Sequence, residues 1–225
     1  MSRERILAAL RAAQATAPLS GRLTPPPARP APIPVGPVDG DCWERFAQVL
    51  EPLTVRLRLA KSPSEAQAHV ADIARERGAR SYVRWAELPV DVDAALSGVA
   101  GLERLEVPTD DDRRPCPALA RADLGITGAH AALLDSGSLA LVAGPDCPRS
   151  VSLLPIAHVC LVPRAVLAPD VSALPELLER HRSAEGSLPA CLNLVTGPSS
   201  TADIELVLVR GVHGPVAVEV IGLDW

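Results

Sequence analysis

From about residue 41 to the C-terminus, short apolar runs alternate with amphipathic segments. Residues 55–59, 80–85, 102–107, 124–126, 138–143, 157–162, 190–195 and 216–223 are short and rich in Val, Leu and Ile, which predicts strands. Between them, 63–77, a stretch near 91–97, 129–134, a stretch near 171–182, and 201–210 read as helices. This alternation predicts an α/β sheet. Ligands in open sheets of that kind bind beyond the carboxyl ends of the strands, so the loops there are where chemistry is sought. Ahead of this body, residues 2–17 place Ile6, Leu7, Leu10 and Ala13 or Ala17 on one helical stripe. Residues 18–40 carry Pro25, Pro26, Pro27, Pro30, Pro32, Pro34 and Pro37, a composition that makes a stiff, extended arm. Two parts follow: an N-terminal helix and proline-rich arm over 1–40, and an α/β domain over 41–225. The apolar stripe of the helix needs a partner surface, on its own body or on another subunit.

With 225 residues, 48% of them hydrophobic, the chain is long enough for one full core. Its 22 basic and 27 acidic residues leave a net charge of −5 with no basic cluster, so the footprint of a nucleic-acid binder is lacking. The start, Met1 to Arg5, leads into an amphipathic segment and not an apolar signal core. No run of about 18 apolar residues occurs, so a cytoplasmic protein without a membrane span is expected. Lys61 is the only lysine and lies between Ala60 and Ser62, which rules out the Gly-Lys-Ser/Thr of a P-loop; a Gly-x-Gly-x-x-Gly is also absent. Cys42, Cys116, Cys147, Cys160 and Cys191 are widely spaced with no Cys-x-x-Cys. Neither a cluster nor a zinc site is signalled, and the expectation is no cofactor or metal in this chain.

Three loops concentrate polar chemistry. In 196–205, Gly197 and Pro198 end a strand-like run, and Ser199, Ser200 and Thr201 gather hydroxyls at an expected helix start. Free backbone N–H groups and the positive end of a helix dipole would hold a small anion there. Ser200 and Asp203 equally fit a capping box, and Asp203 and Glu205 suit a first helical turn through the dipole alone. The second loop, 125–139, offers Thr127, Gly128, Asp135 and Ser138, although Asp-Ser-Gly-Ser is also an ordinary turn composition. In the third, Arg149 would clamp a carboxylate as a bidentate fork or stand as a solvated surface group. His158 and His213 are possible general bases. His158, between Ala157 and Val159 in an apolar strand, reads better as a hydrogen-bonded core imidazole. His213, if it follows a strand-helix-strand unit, lies at the opposite end of the sheet from Ser199.

Taken together, Ala122-Asp-Leu-Gly-Ile-Thr-Gly-Ala with Asp135-Ser-Gly-Ser-Leu, Ser152-Leu-Leu-Pro-Ile-Ala-His-Val, and Thr196-Gly-Pro-Ser-Ser-Thr-Ala-Asp-Ile-Glu with Gly211-Val-His-Gly-Pro resemble the bacterial lactate-utilisation protein C family, whose body is called the LUD domain. The resemblance covers about 41–225 and is strongest after 122. It implies an open three-layer α/β sheet of the sugar-phosphate isomerase/CoA-transferase-like type. It further implies a subunit or accessory role in oxidation of L-lactate to pyruvate, beside two partner proteins that carry iron–sulfur clusters, with this chain as the non-cluster component. One departure is visible: the family usually has Glu before Thr-Gly-Thr, where this chain has Asp135 before Ser-Gly-Ser. The competing reading is a free-standing enzyme of the same fold acting on a phosphorylated or acyl substrate, and a third is a scaffold docked through the N-terminal helix.

Overall fold

The computed structural model describes residues 3–16, 41–107, 119–202, 208–211 and 213–225. The chain divides into two units, Met1–Pro32 and Ile33–Trp225. The first contains helix α1 (Arg3–Thr16), on which Ile6 and Leu7 are exposed.

The second unit opens with α2 (Cys42–Leu50), capped by Asp41, whose carboxylate accepts from the N–H groups of Trp43 and Glu44 at 3.1 Å. Strand β1 (Arg56–Ala60) leads to α3 (Pro63–Glu76), started by Ser62 as cap with Pro63 in the first turn. Then come β2 (Ser81–Arg84), α4 (Val92–Leu96) capped by Asp91, and β3 (Glu103–Arg104), which is all that pairs of the strand expected over 102–107. Strands β4 (Leu124–Gly128), β5 (Ala131–Leu133) and β6 (Ser138–Val142) follow, then α5 (Ser150–Leu153), β7 (Ala157–Pro163), β8 (Leu167–Ala168) and α6 (Leu174–Arg180). Four strands close the chain: β9 (Leu192–Val195), β10 (Ser200–Ala202), β11 (Leu208–Arg210) and β12 (Ala217–Leu223).

The main sheet has six parallel strands in the order β1-β12-β7-β4-β2-β3. Both of its faces are covered. Helices α3 and α4 pack one face through Val70, Ile73, Val92 and Leu96 against Ile126, Val159 and Ile221. The opposite face meets α2 through Trp43, Phe46 and Leu50, and meets β5 and β6 through Ala132, Leu139 and Leu141. This double burial is why β7 and β12 read as continuous apolar runs and not as alternating ones. A second sheet, β8-β5-β6-β9, takes α6 on its outer side through Leu177. A two-stranded hairpin, β10-β11, stands apart from both sheets.

Two expected helices are replaced by strands. Residues 129–134 include β5, because Ala131–Leu133 pairs with β6 on one side and β8 on the other; helix-forming Ala and Leu are overridden by that two-sided pairing. The segment 201–210 is likewise no helix at either end. Ser200↔Arg210 and Ala202↔Leu208 are antiparallel partners, consistent with the β-branched Thr201 and Val209.

Candidate functional site

The β6–β9 pairing joins two of the three loops singled out above. Its antiparallel register, Leu139↔Val195 and Val142↔Leu192, carries Ser138 to the end of β9, where Ser138 Oγ lies 2.8 Å from Thr196 Oγ1. Ser136 Oγ is 3.0 Å from Ser138 Oγ, so three hydroxyls form one row. Two glycines close round the same residue, Leu53. Gly137 has φ +69° and a Cβ there would stand 2.8 Å from Leu53 Cδ1; Gly197 has φ +89° and a Cβ there would stand 3.1 Å from Leu53 O. Both positions require the left-handed region, and both pack on the link between α2 and β1. Asp135 is exposed at this turn, its N–H bonded to Pro169 O.

Ser199 does not begin a helix. Its N–H donates to Pro215 O at 2.9 Å, and its own carbonyl accepts from Gly211 at 2.8 Å, so the hairpin folds the 211–215 turn back against it. A Cβ on Gly214 would be 3.2 Å from Ser199 Cβ, and the exposed His213 belongs to that same turn. His213 is therefore a neighbour of the Ser199 loop and not at the far end of the sheet. Ser200 Oγ donates to Pro198 O at 3.2 Å instead of capping a helix, and the dipole expected to hold an anion is missing because β10 stands in its place. Thr201 lies in β10, its side chain outside what is described; Asp203 and Glu205 lie outside the described residues.

Thr127 and His158 meet inside the protein. Register pairs Thr127 with Cys160 and Gly125 with His158 across β4 and β7, on the face toward α2. Thr127 Oγ1 is 2.8 Å from His158 Nε2 and 3.7 Å from Cys160 Sγ, and all three side chains are fully buried. Burial holds His158 at a pKa of about 4 and pushes the Cys160 thiol up to about 12. His158 Nδ1 has no hydrogen-bond partner. The core reading of His158 agrees with this geometry. Gly128 is buried at the end of β4, while Arg149 is exposed at the start of α5. Arg149 follows Pro148, whose carbonyl accepts from the indole of Trp85 just past β2, at the carboxyl edge of the sheet. Ser199 is tied to Pro215, ahead of β12 at the amino edge. Thr127 is fully buried in the sheet, and α5 links the two edges: Leu153 O is 3.8 Å from where a Cβ on Gly214, packed on Ser199, would stand, so the Ser199 loop meets the end of the short helix that Arg149 opens.

The carboxyl edge holds a group that motif reading passed over. Trp85 follows β2 and His130 follows β4; their ring centroids are 5.3 Å apart, and His181, after α6, meets His130 edge-on at 4.7 Å. His130 Nδ1 accepts the Val142 N–H at 3.1 Å, and burial together with the neighbouring His181 lowers its pKa to about 4. With Gly144, Asp146, Cys147 and Pro189 these imidazoles line a cavity of about 260 Å³. His130 and His181 are 51 residues apart in sequence, so only the position of His130 just past an apolar strand gave a local signal. Among the described residues no group of three or more His, Cys, Asp and Glu is placed to hold a metal ion, and no helix is long and apolar enough to cross a membrane.

A family model, the LUD domain, matches residues 43–222. A "Lactate utilization protein C" of Halalkalibacterium halodurans is 34% identical over 148 residues, 65% of this chain and 64% of that protein. The protein of the same name from Bacillus subtilis is 40% identical over 96 residues, 43% of this chain and 40% of that one, and "Lactate utilization protein C 1" of Bacillus mycoides is 42% identical over 103 residues, 46% and 44% of the two chains. The matched region thus spans less than two thirds of these curated relatives. Among solved structures, a DUF162 family protein from Deinococcus radiodurans is similar with a TM-score of 0.53 at 21% identity, covering 81% of this chain and 96% of that one; this likeness concerns the fold.

Proposed function

The chain belongs to the LUD domain family, and from that premise we propose that it serves lactate utilisation as the non-cluster component of a system oxidising L-lactate to pyruvate, beside two iron–sulfur proteins. The observation that carries the reading is the family match over 43–222, together with relatives named for lactate utilisation. In this reading one seam suits the role. The Asp135–Ser138 turn and the Thr196–Gly197 strand end, far apart in sequence, are drawn into one hydroxyl-lined seam by β6–β9 pairing. A small anionic ligand would be held there by hydroxyl donors, with no helix dipole to assist. The scattered cysteines of the sequence suit a partner that leaves electron transfer to other subunits.

The test is lactate-dependent dye reduction in extracts of the source organism grown on lactate, with and without this chain. Loss of activity on deletion, restored by the intact chain and reduced at least tenfold when Ser138→Ala and Thr196→Val are combined, is the expected result. Undiminished lactate oxidation in the deletion strain would overturn the proposal, and full activity of the double variant would remove the seam from it. Iron co-purifying with the tagged chain after growth on lactate is the companion measurement for the iron–sulfur partners.

A further inference from the structure

Connections divide at one point of the main sheet. The chain leaves β1 and β2 through α3 and α4 on one face, and leaves β4 and β7 through α5 and the second sheet on the other. Strands β2 and β4 are hydrogen-bonded neighbours, so at their carboxyl ends the chain departs to opposite sides and opens a crevice, the topological switch point where open α/β sheets take ligands. Trp85 and His130 follow these two strands and touch across the crevice, and the cavity of about 260 Å³ beside them is walled by His181, Asp146 and Cys147.

The hydrogen bonds fix the imidazole protons. His130 Nδ1 accepts a backbone N–H, so its proton is on Nε2, a donor. His181 Nδ1 lies 2.9 Å from Leu177 O, a carbonyl that can only accept, so its proton is on Nδ1 and Nε2 is left as an acceptor. The two rings therefore present opposite hydrogen-bonding characters at one cavity. The turn beneath them consumes its own backbone groups, with Gly144 and Cys147 exchanging N–H and carbonyl at 3.2 Å. Among the described residues no lysine or arginine lines the cavity, and Asp146 does, so a carboxylate or phosphate finds no counter-charge from them there. The rings meet edge to face, not with both nitrogens turned to one point as a shared metal ion would require.

We propose that this crevice binds a small uncharged planar molecule through an amide- or lactam-type edge, its carbonyl accepting from His130 Nε2 and its N–H donating to His181 Nε2. Lactate and pyruvate, both anions, are not the occupants, so the site is separate from the hydroxyl seam and neither stands or falls with the other. The cavity has room for a single ring.

The experiment is a chemical-shift titration of the full chain at pH 8 with nicotinamide, N,N-dimethylnicotinamide, nicotinate and benzamidine. Saturable binding of nicotinamide is expected, with each of the other three about tenfold weaker, the dimethyl compound because it lacks the N–H. His181 is exposed, so His181→Phe leaves the fold intact, and in that variant the preference for nicotinamide over its dimethyl analogue should vanish. Tighter binding of nicotinate or benzamidine, absence of saturable nicotinamide binding, or an unchanged preference in His181→Phe would each overturn the proposal.

Discussion

Gly137 lies in the Asp-Ser-Gly-Ser turn, where a glycine can serve either close approach of a ligand or the packing of the protein itself; replacing it by alanine separates the two. At φ +69°, an alanine is placed in the left-handed region at a cost of about 1 kcal/mol. The added Cβ stands 2.8 Å from Leu53 Cδ1, 3.1 Å from Leu50 Cδ2 and 3.3 Å from Val49 Cγ1. Leu50 is 1% exposed and cannot swing into solvent, so overpacking adds about 2 kcal/mol. The expected loss is about 3 kcal/mol, read as a lower urea midpoint at unchanged slope and a melting temperature lower by roughly 6–12 °C for a chain of this size. Leu53→Ala removes the nearest atom of the clash. In that background the Leu50 and Val49 contacts remain, so Gly137→Ala should still cost about 2 kcal/mol, and a double-mutant cycle should show a coupling near about 1 kcal/mol. A loss below 1 kcal/mol, or an equal loss in both backgrounds, would refute the packing account. If lactate-linked activity then fell with stability intact, the glycine would be serving ligand approach.

Three further outcomes are expected. Glu219 is 3% exposed and held by Arg77 Nη2 at 2.5 Å, with Arg56 Nε 3.9 Å away. Arg77→Met should therefore cost about 3 kcal/mol in urea unfolding, the low end for stranding a buried charge because Arg56 remains, whereas Arg77→Met with Glu219→Leu should be nearly neutral; equal losses in both would contradict this. Thr127→Val keeps the volume but strips His158 Nε2 of its partner, so about 1–3 kcal/mol should be lost, and a neutral result would mean that the buried imidazole needs no hydrogen bond. His130 and His158 are held at about 4, below the ordinary 6.5, chiefly by burial. The unfolded chain takes up these protons first as pH falls, so stability is full above 6.5 and should drop by on the order of 1 kcal/mol per histidine by pH 5.5. A urea midpoint that stays flat between pH 7.5 and 5.5 would show that the two rings are hydrated.

The sequence by itself determined the class of fold, the main-sheet strands and the family. Strands buried on both faces need apolar side chains at nearly every position, which is why β7 and β12 are visible as runs, and Ser62-Pro63 announces α3 through local capping chemistry. The strands of the second sheet were less legible. Residues 129–134, made largely of Ala and Leu, favour a helix locally, and only pairing with β6 and β8 makes part of them β5. The same holds for 200–202, where a polar run resembling a helix start becomes β10 because β11 is there to pair with it. The short helix α2 was also missed, although Asp41 followed by Trp43, Phe46 and Leu50 spells a cap and a helical stripe. Of the candidate site residues, burial of His158 was readable from its apolar neighbours. The meeting of Ser138 with Thr196, the approach of the 213 turn to Ser199 and the contacts of the Trp85, His130 and His181 rings were decided by tertiary structure alone. Local pattern reports what a residue prefers next to its own neighbours, whereas a site assembled from different strands depends on sheet order and register, which are set by long-range burial and backbone pairing.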